Sequence, residues 1–231
     1  MDFSTEQKYI KQGYDFVIGI DEAGRGPLAG PVIASALAIT KFKVESLKLK
    51  VGDSSLAKDL WLEVKDSKKL SPKKREKLFE ILTTDPDIKY GIGIISEKVI
   101  DKKNILQATL MAMKIAVENL IKKEPKISPL ASPTIVGLAS KRKSVILIDG
   151  RDIIEDLDFD QHSIINGDNK VWSIAAASII AKVTRDKIMI KYHEKYPQYC
   201  FDRHKGYGTK LHFEKIAEHG QCEIHRKSFL D

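Results

Sequence analysis

Only two cysteines, Cys200 and Cys222, occur in the 231 residues, too few for the disulfide framework of a small secreted domain. No apolar run approaches the ~20 residues that cross a bilayer. The first dozen residues are polar and lack the apolar centre of a secretion signal. No internal repeat is evident. A cytoplasmic protein with no membrane association is therefore expected. The length and a hydrophobic content of 42% allow one sizeable core, with room for a small appendage. What the chain has in excess is positive charge: 39 lysines and arginines against 32 acids, a formal net charge of +7. That surplus suits a polyanionic partner, and it suits simple solubility equally well.

Against this basic background, Asp21 and Glu22 stand side by side at the end of the apolar run Phe16-Val17-Ile18-Gly19-Ile20. The run reads as a buried strand. Burying two adjacent carboxylates is costly, because each loses water and each repels the other. A divalent cation is the usual compensation. Gly24-Arg25-Gly26 follows directly, a backbone free to approach a ligand with a phosphate-type donor between its glycines. Two more acids sit at comparable places. Asp149 ends the buried strand Val145-Ile146-Leu147-Ile148, and Asp168 follows the shorter strand His162-Ser163-Ile164-Ile165 after a turn. In sheets with helices on their faces, strand ends are where sites are built. Taken singly, each acid reads as well as a turn or cap residue.

The remaining elements alternate strand and helix. Strands are expected over 14–20, 31–39 and 88–95. Ser71-Pro72 opens a helix to about Leu82, with serine as cap and proline at the first position. The clearest helix is 104–122, where Leu106, Leu110, Met113, Val117 and Leu120 recur at helical spacing as a core stripe. Ser173 is expected to cap a helix running to about Tyr192, and a further helix covers 209–218. Residues 41–65 and 124–143 show no clean period and read as insertions, the second a loop with three prolines.

Six blocks together resemble ribonuclease HII, the bacterial type 2 ribonuclease H family. They are Gly19 to Pro31, Asp66-Ser67-Lys68-Lys69-Leu70-Ser71, Asp149-Gly150, Gly167-Asp168 with Ser173 to Asp186, His204-Lys205-Gly206-Tyr207-Gly208-Thr209, and His225-Arg226-Lys227-Ser228-Phe229, in the family's order. The resemblance implies an α/β, ribonuclease H-like fold: a five-stranded mixed sheet flanked by helices, with a C-terminal helical extension. One domain would cover 14–231, its catalytic core about 14–190 and a substrate-clamping segment about 191–231. It implies endonucleolytic cleavage of RNA in RNA–DNA hybrids and cutting 5′ to single ribonucleotides in duplex DNA. The ends would be 3′-hydroxyl and 5′-phosphate, and the role would be removal of misincorporated ribonucleotides. Asp21, Glu22, Asp149 and Asp168 would hold two divalent cations, Mg2+ or Mn2+, ~4 Å apart. Gly24, Arg25 and Gly26 would read the sugar 2′-hydroxyl, and Tyr207 would stack on the neighbouring sugar. Lys68, Lys182 and Arg185 are candidates for phosphate contact. A monomer is expected.

Two readings compete. A junction resolvase of the same superfamily uses clustered acids but has no need of the Gly-Arg-Gly loop with Tyr207. A non-catalytic nucleic-acid-binding module shares the basic surplus but has no use for four strand-end acids. Asp186, beside Arg185, is expected in an ion pair rather than with the acids. Cys200, His204, His219 and Cys222 have tolerable zinc spacing, but His204 belongs to the His-Lys-Gly-Tyr block, and satisfied or solvent-facing histidines are expected there.

Overall fold

The structure, a computed structural model, describes residues 2–40, 63–128 and 143–230. Most of both expected insertions, 41–62 and 129–142, lies outside the described residues. The strands are β1 (Phe16–Ala23), β2 (Val32–Thr40), β3 (Ile88–Ile95), β4 (Ser144–Asp149) and β5 (Asp160–Ile164), in sheet order β3-β2-β1-β4-β5. β1 runs antiparallel to β2, and β2 to β3, while β1, β4 and β5 are parallel. The helices are α1 (Ser4–Lys11), α2 (Pro72–Thr84), α3 (Glu97–Lys103), α4 (Ile105–Lys123), α5 (Trp172–Lys195), α6 (Phe201–His204) and α7 (Lys210–His219). The expected five-stranded mixed sheet with helices on both faces is present.

Successive side chains of a strand point to opposite faces, and here residue parity sorts the two cores. Val17, Val145 and Leu147 pack with α1, α2 and α5. Phe16, Ile18, Ile20, Ile146 and Ile148 pack with α3 and α4. α5 lies close on the first face because Gly19 has no side chain; a Cβ there would collide with the backbone of Ser173. The fully buried Ala175-Ala176-Ala177 run continues the close approach.

Four expectations need correction. Ser173 does not cap α5: the cap position is Val171, and the Ser173 N–H donates instead to Glu6 Oε1 at 2.7 Å. α5 also runs to Lys195, past Tyr192. The strand expected over His162–Ile165 is β5, Asp160–Ile164, and it is mostly exposed, as an edge strand is. Ile165 lies beyond it. Finally, α1 forms at the polar N-terminus, where no helix was expected. Its Glu6 and Ile10 are buried, and Phe3, just ahead of it, packs on Trp172 with ring centroids 4.8 Å apart.

Candidate active site

β1 and β4 are neighbours with Ile20 opposite Ile148. The next residues, Asp21 and Asp149, are both odd-numbered and leave the sheet on the face of α5. Asp168 reaches them differently. Asn166 adopts a left-handed turn (φ 55°), Gly167–Asn169 form a short 3-10 helix, and the Gly167 N–H donates to Asp149 Oδ1 at 2.6 Å. That bond ties the turn to the end of β4. Carboxylate oxygens of Asp21, Asp149 and Asp168 lie within 4.8 Å of one another. Burial, then the charges of Glu22 and Asp149, push the Asp21 carboxyl well above its ordinary range. Burial also raises Asp149, against the pull of the Gly167 N–H.

Glu22 has even parity and leaves β1 toward α4. It is outside the three-acid group and pairs instead with Arg25, Oε1 to Nη1 3.3 Å. Burial raises its carboxyl and the Arg25 charge lowers it, leaving it above the ordinary value. Glu22 and Arg25 line two cavities. One, about 220 Å³, also meets Thr109, Asp149 and Arg151. The other, about 300 Å³, is walled by Gly24, Gly26, Lys68, Ser178, Lys182 and Tyr207. The three acids therefore sit beside a groove that runs along the glycine loop to Tyr207.

The cations around the groove are held at different strengths. Lys68 Nζ is 3.6 Å from Asp168 Oδ2, with a side chain 78% exposed. Partial burial opposes its charge, but Asp168, Asp21, Asp66 and Asp149 together raise its pKa. Its loop is set by Asp66, which accepts from the Lys68 N–H at 2.9 Å, and by the Ser67–Ser178 hydroxyl pair at 2.9 Å. Lys182 is mostly buried; Nζ lies 2.6 Å from Asp186 and 5.5 Å from the centre of the Tyr207 ring. Burial lowers its pKa.

Residues 18–231 match the family model of ribonuclease HII. The chain belongs to the ribonuclease HII family. It is 45% identical over 228 residues to the ribonuclease HII of Caldicellulosiruptor bescii, covering 99% of this chain and 93% of that one. It is 46% identical over 225 residues to that of Acetivibrio thermocellus, covering 97% and 73%. Among solved structures it resembles the ribonuclease H2 from Pyrococcus horikoshii OT3, with a TM-score of 0.60, 27% identity and coverage of 92% and 93%. As a member of this ribonuclease HII family the chain is a ribonuclease H, a hydrolase acting on the RNA of RNA–DNA hybrids.

Set against what a ribonuclease HII sequence leads one to expect, the structure brings together Asp21, Asp149 and Asp168, with Glu22 one strand face away. It gathers Gly24, Arg25, Gly26, Lys68, Lys182 and Tyr207 around one cavity. Asp186 is engaged with Lys182 and, at 3.7 Å, with Arg75 of α2. One candidate is displaced. Arg185 is fully buried, and its guanidinium donates to the carbonyls of Pro31, Ala29 and Lys205 at 3.0, 2.9 and 2.9 Å. It braces loops rather than meeting phosphate. Arg226, to which the sequence assigned no role, does the same from the C-terminus: it donates to Gly24, Arg25 and Gly30 carbonyls. Burial and the charge of Arg185 push it down to about 9, still protonated at neutral pH. The signal for both was weak, because an arginine inside a motif reads as a ligand contact until its burial is known. Among the described residues no helix is long and apolar enough to cross a membrane.

Proposed function

We propose that this protein cuts duplex DNA on the 5′ side of a single embedded ribonucleotide, as well as hydrolysing RNA in hybrids. The ends left are 3′-hydroxyl and 5′-phosphate, and the role is removal of misincorporated ribonucleotides. One observation carries the reading: a three-carboxylate cluster lies beside a cavity walled by Glu22, the Gly24–Gly26 loop, Lys68 and Tyr207, with Lys68 Nζ 3.6 Å from Asp168. A resolvase or a binding module has no use for that combination.

The acid cluster is an oxygen-only donor set whose members repel one another, which suits hard divalent cations. Asp21, Asp149 and Asp168, with Glu22 beside them, would hold two, Mg2+ or Mn2+. When bound, such ions acidify an attacking water and stabilise the charge developing on the phosphate. The protein's residues do the rest. Arg25 and Lys68 keep exposed charged ends beside the acids and neutralise substrate phosphates. Lys182 offers a shielded positive charge next to Tyr207. The glycine loop presents backbone groups to the 2′-hydroxyl, and Tyr207, 39% exposed, stacks on the following sugar. A site that hydrogen-bonds a hydroxyl can discriminate against its absence by ~10⁴ or more, because its own polar groups are left unpaired. Segment 191–231 closes over the duplex.

The test is cleavage of a labelled duplex carrying one ribonucleotide, with and without magnesium. Cleavage 5′ to the ribonucleotide is expected only with the cation, and none of all-DNA duplex. Asp149→Asn should lose nearly all turnover and keep hybrid binding, since affinity rests on phosphate contacts elsewhere. More than about a tenth of wild-type turnover in Asp149→Asn would sink the assignment (one pKa unit or tenfold being only ~1.4 kcal/mol).

A further inference from the structure

Behind Tyr207 lies a cluster of three buried histidines that the proposed chemistry does not use. His204, His212 and His225 are 8%, 0% and 2% exposed. The rings of His204 and His212 are stacked, centroids 4.3 Å apart, and those of His212 and His225 are 5.2 Å apart.

Their hydrogen bonds define one set of tautomers. The Cys222 N–H donates to His225 Nδ1 at 2.8 Å. That nitrogen therefore accepts, and it cannot also donate to the Cys222 carbonyl 3.3 Å away. His225 then carries its proton on Nε2, which lies 3.1 Å from His212 Nε2 and donates to it. His212 must carry its own proton on Nδ1, and this donates to the Tyr207 carbonyl at 3.0 Å. His204 closes the other side: Nδ1 accepts from the Gly206 N–H at 3.1 Å, and Nε2 donates to the Tyr199 carbonyl at 2.8 Å. All six ring nitrogens are satisfied, and only with all three rings neutral. Burial, the main cause, pushes His212 down to about 4, consistent with that state.

The relay ends on the peptide of the residue that faces the substrate. The Tyr207 N–H donates to the His204 carbonyl at 2.9 Å, and its carbonyl accepts from the Thr209 N–H at 2.8 Å as well as from His212. The preceding Gly206 is left-handed (φ 83°) and packs against the Ala29 carbonyl, so the chain turns sharply into Tyr207. Nothing in the relay touches the acids.

We propose that His212, backed by His225, is a positioning residue for Tyr207: the histidine relay fixes the peptide from which the phenol ring projects, and so sets how the ribonucleotide junction is read. This rests on the reading of Tyr207 as the sugar-stacking residue.

Two substitutions in the full chain separate positioning from bulk stability. An asparagine amide can take the place of Nδ1–H, so His212→Asn keeps the bond to Tyr207 and loses the one to His225. A glutamine amide reaches the Nε2 position, so His212→Gln does the opposite. On the single-ribonucleotide duplex, His212→Gln should lower kcat at least about tenfold with KM changed less than about threefold, the order expected when a substrate-contacting group is mis-set by a fraction of an ångström. His212→Asn should stay within about threefold of wild type. In a Tyr207→Ala background the Gln substitution should change kcat less than about twofold, because the residue it acts through is gone. Fluorotyrosine at 207 gives a readout independent of turnover: its 19F line should shift or broaden in His212→Gln and not in His212→Asn. Equal kcat in the two variants, an unmoved 19F line, or a His212→Gln loss undiminished without Tyr207 overturns the proposal. If Tyr207→Ala alone cleaves like wild type, the stacking reading fails first and the role of His212 falls with it, a different result from failure at His212 alone.

Discussion

Asp21 is 4% exposed and shares its surroundings with two other carboxylates, so in the absence of cations its negative charge opposes folding. Its folded-state pKa is raised above the unfolded value. A group of that kind costs nothing while the pH is below the unfolded value, near 4. Stability is then lost as pH rises toward the folded value. At neutral pH the ion-free protein carries that penalty. Asp21→Asn should therefore melt at a higher temperature than wild type in chelator at pH 7, and the difference should vanish near pH 4 and below. Magnesium should raise the wild-type melting temperature more than that of Asp21→Asn. A variant that melts lower than wild type in chelator at pH 7 would show that Asp21 is held by bonds outweighing its desolvation. Under the proposed chemistry the same residue is then both destabilising and needed for activity, a common conflict at catalytic sites.

At the scale of elements, α1 matters to α5 more than its eight residues suggest. α5 begins without a side-chain cap of its own, and Glu6 supplies the acceptor for the Ser173 N–H from 167 positions earlier in the chain. Burial raises the Glu6 carboxyl, and Glu6 Oε2 has no protein partner. The acceptor, rather than the charge, is therefore what the helix needs. Glu6→Ala should cost about 1–3 kcal/mol, the penalty for a buried N–H left unpaired. Glu6→Gln keeps an acceptor oxygen and should be near neutral or stabilising. Urea denaturation of both measures it, and equal losses in the two would point to the charge instead. Because α5 also carries Ser178 and Lys182 into the groove, Glu6→Ala should loosen the site as well.

For the whole molecule, the C-terminal segment is built into the site. Leu28 N–H to the Gly206 carbonyl, Gly30 N–H to that of Ile224, Arg226 N–H to that of Leu28, and the Arg226 side chain all stitch residues 206–226 to the glycine loop. Many of its lysines already have local acceptors: Lys195 pairs with Glu223, Lys215 with Glu218, and Lys205 with the Asp202 carbonyl. Deleting the segment would therefore dismantle the glycine loop along with any clamp, and point substitutions are the cleaner probe of binding. Log affinity against log salt should fall steeply, and Lys68→Met and Lys182→Met should each make the slope shallower by about 0.9, one phosphate contact apiece. A slope unchanged by both would remove them from the interface. The sequence by itself determined the elements with strong apolar patterning, β1, β4 and α4, and it marked out the candidate acids, because a buried carboxylate at a strand end is costly enough to be conspicuous. It could not determine which acids meet. Asp21 and Glu22 are adjacent in the chain, yet strand pleating sends them to opposite faces, and Asp168 joins Asp149 through a turn tied to it by the Gly167 N–H. Nor could it separate Arg185 and Arg226, which brace backbone, from Arg25 and Lys68, which face the groove. Burial is a property of the packed whole, and only tertiary structure decides whether a guanidinium is spent on carbonyls or left for a phosphate.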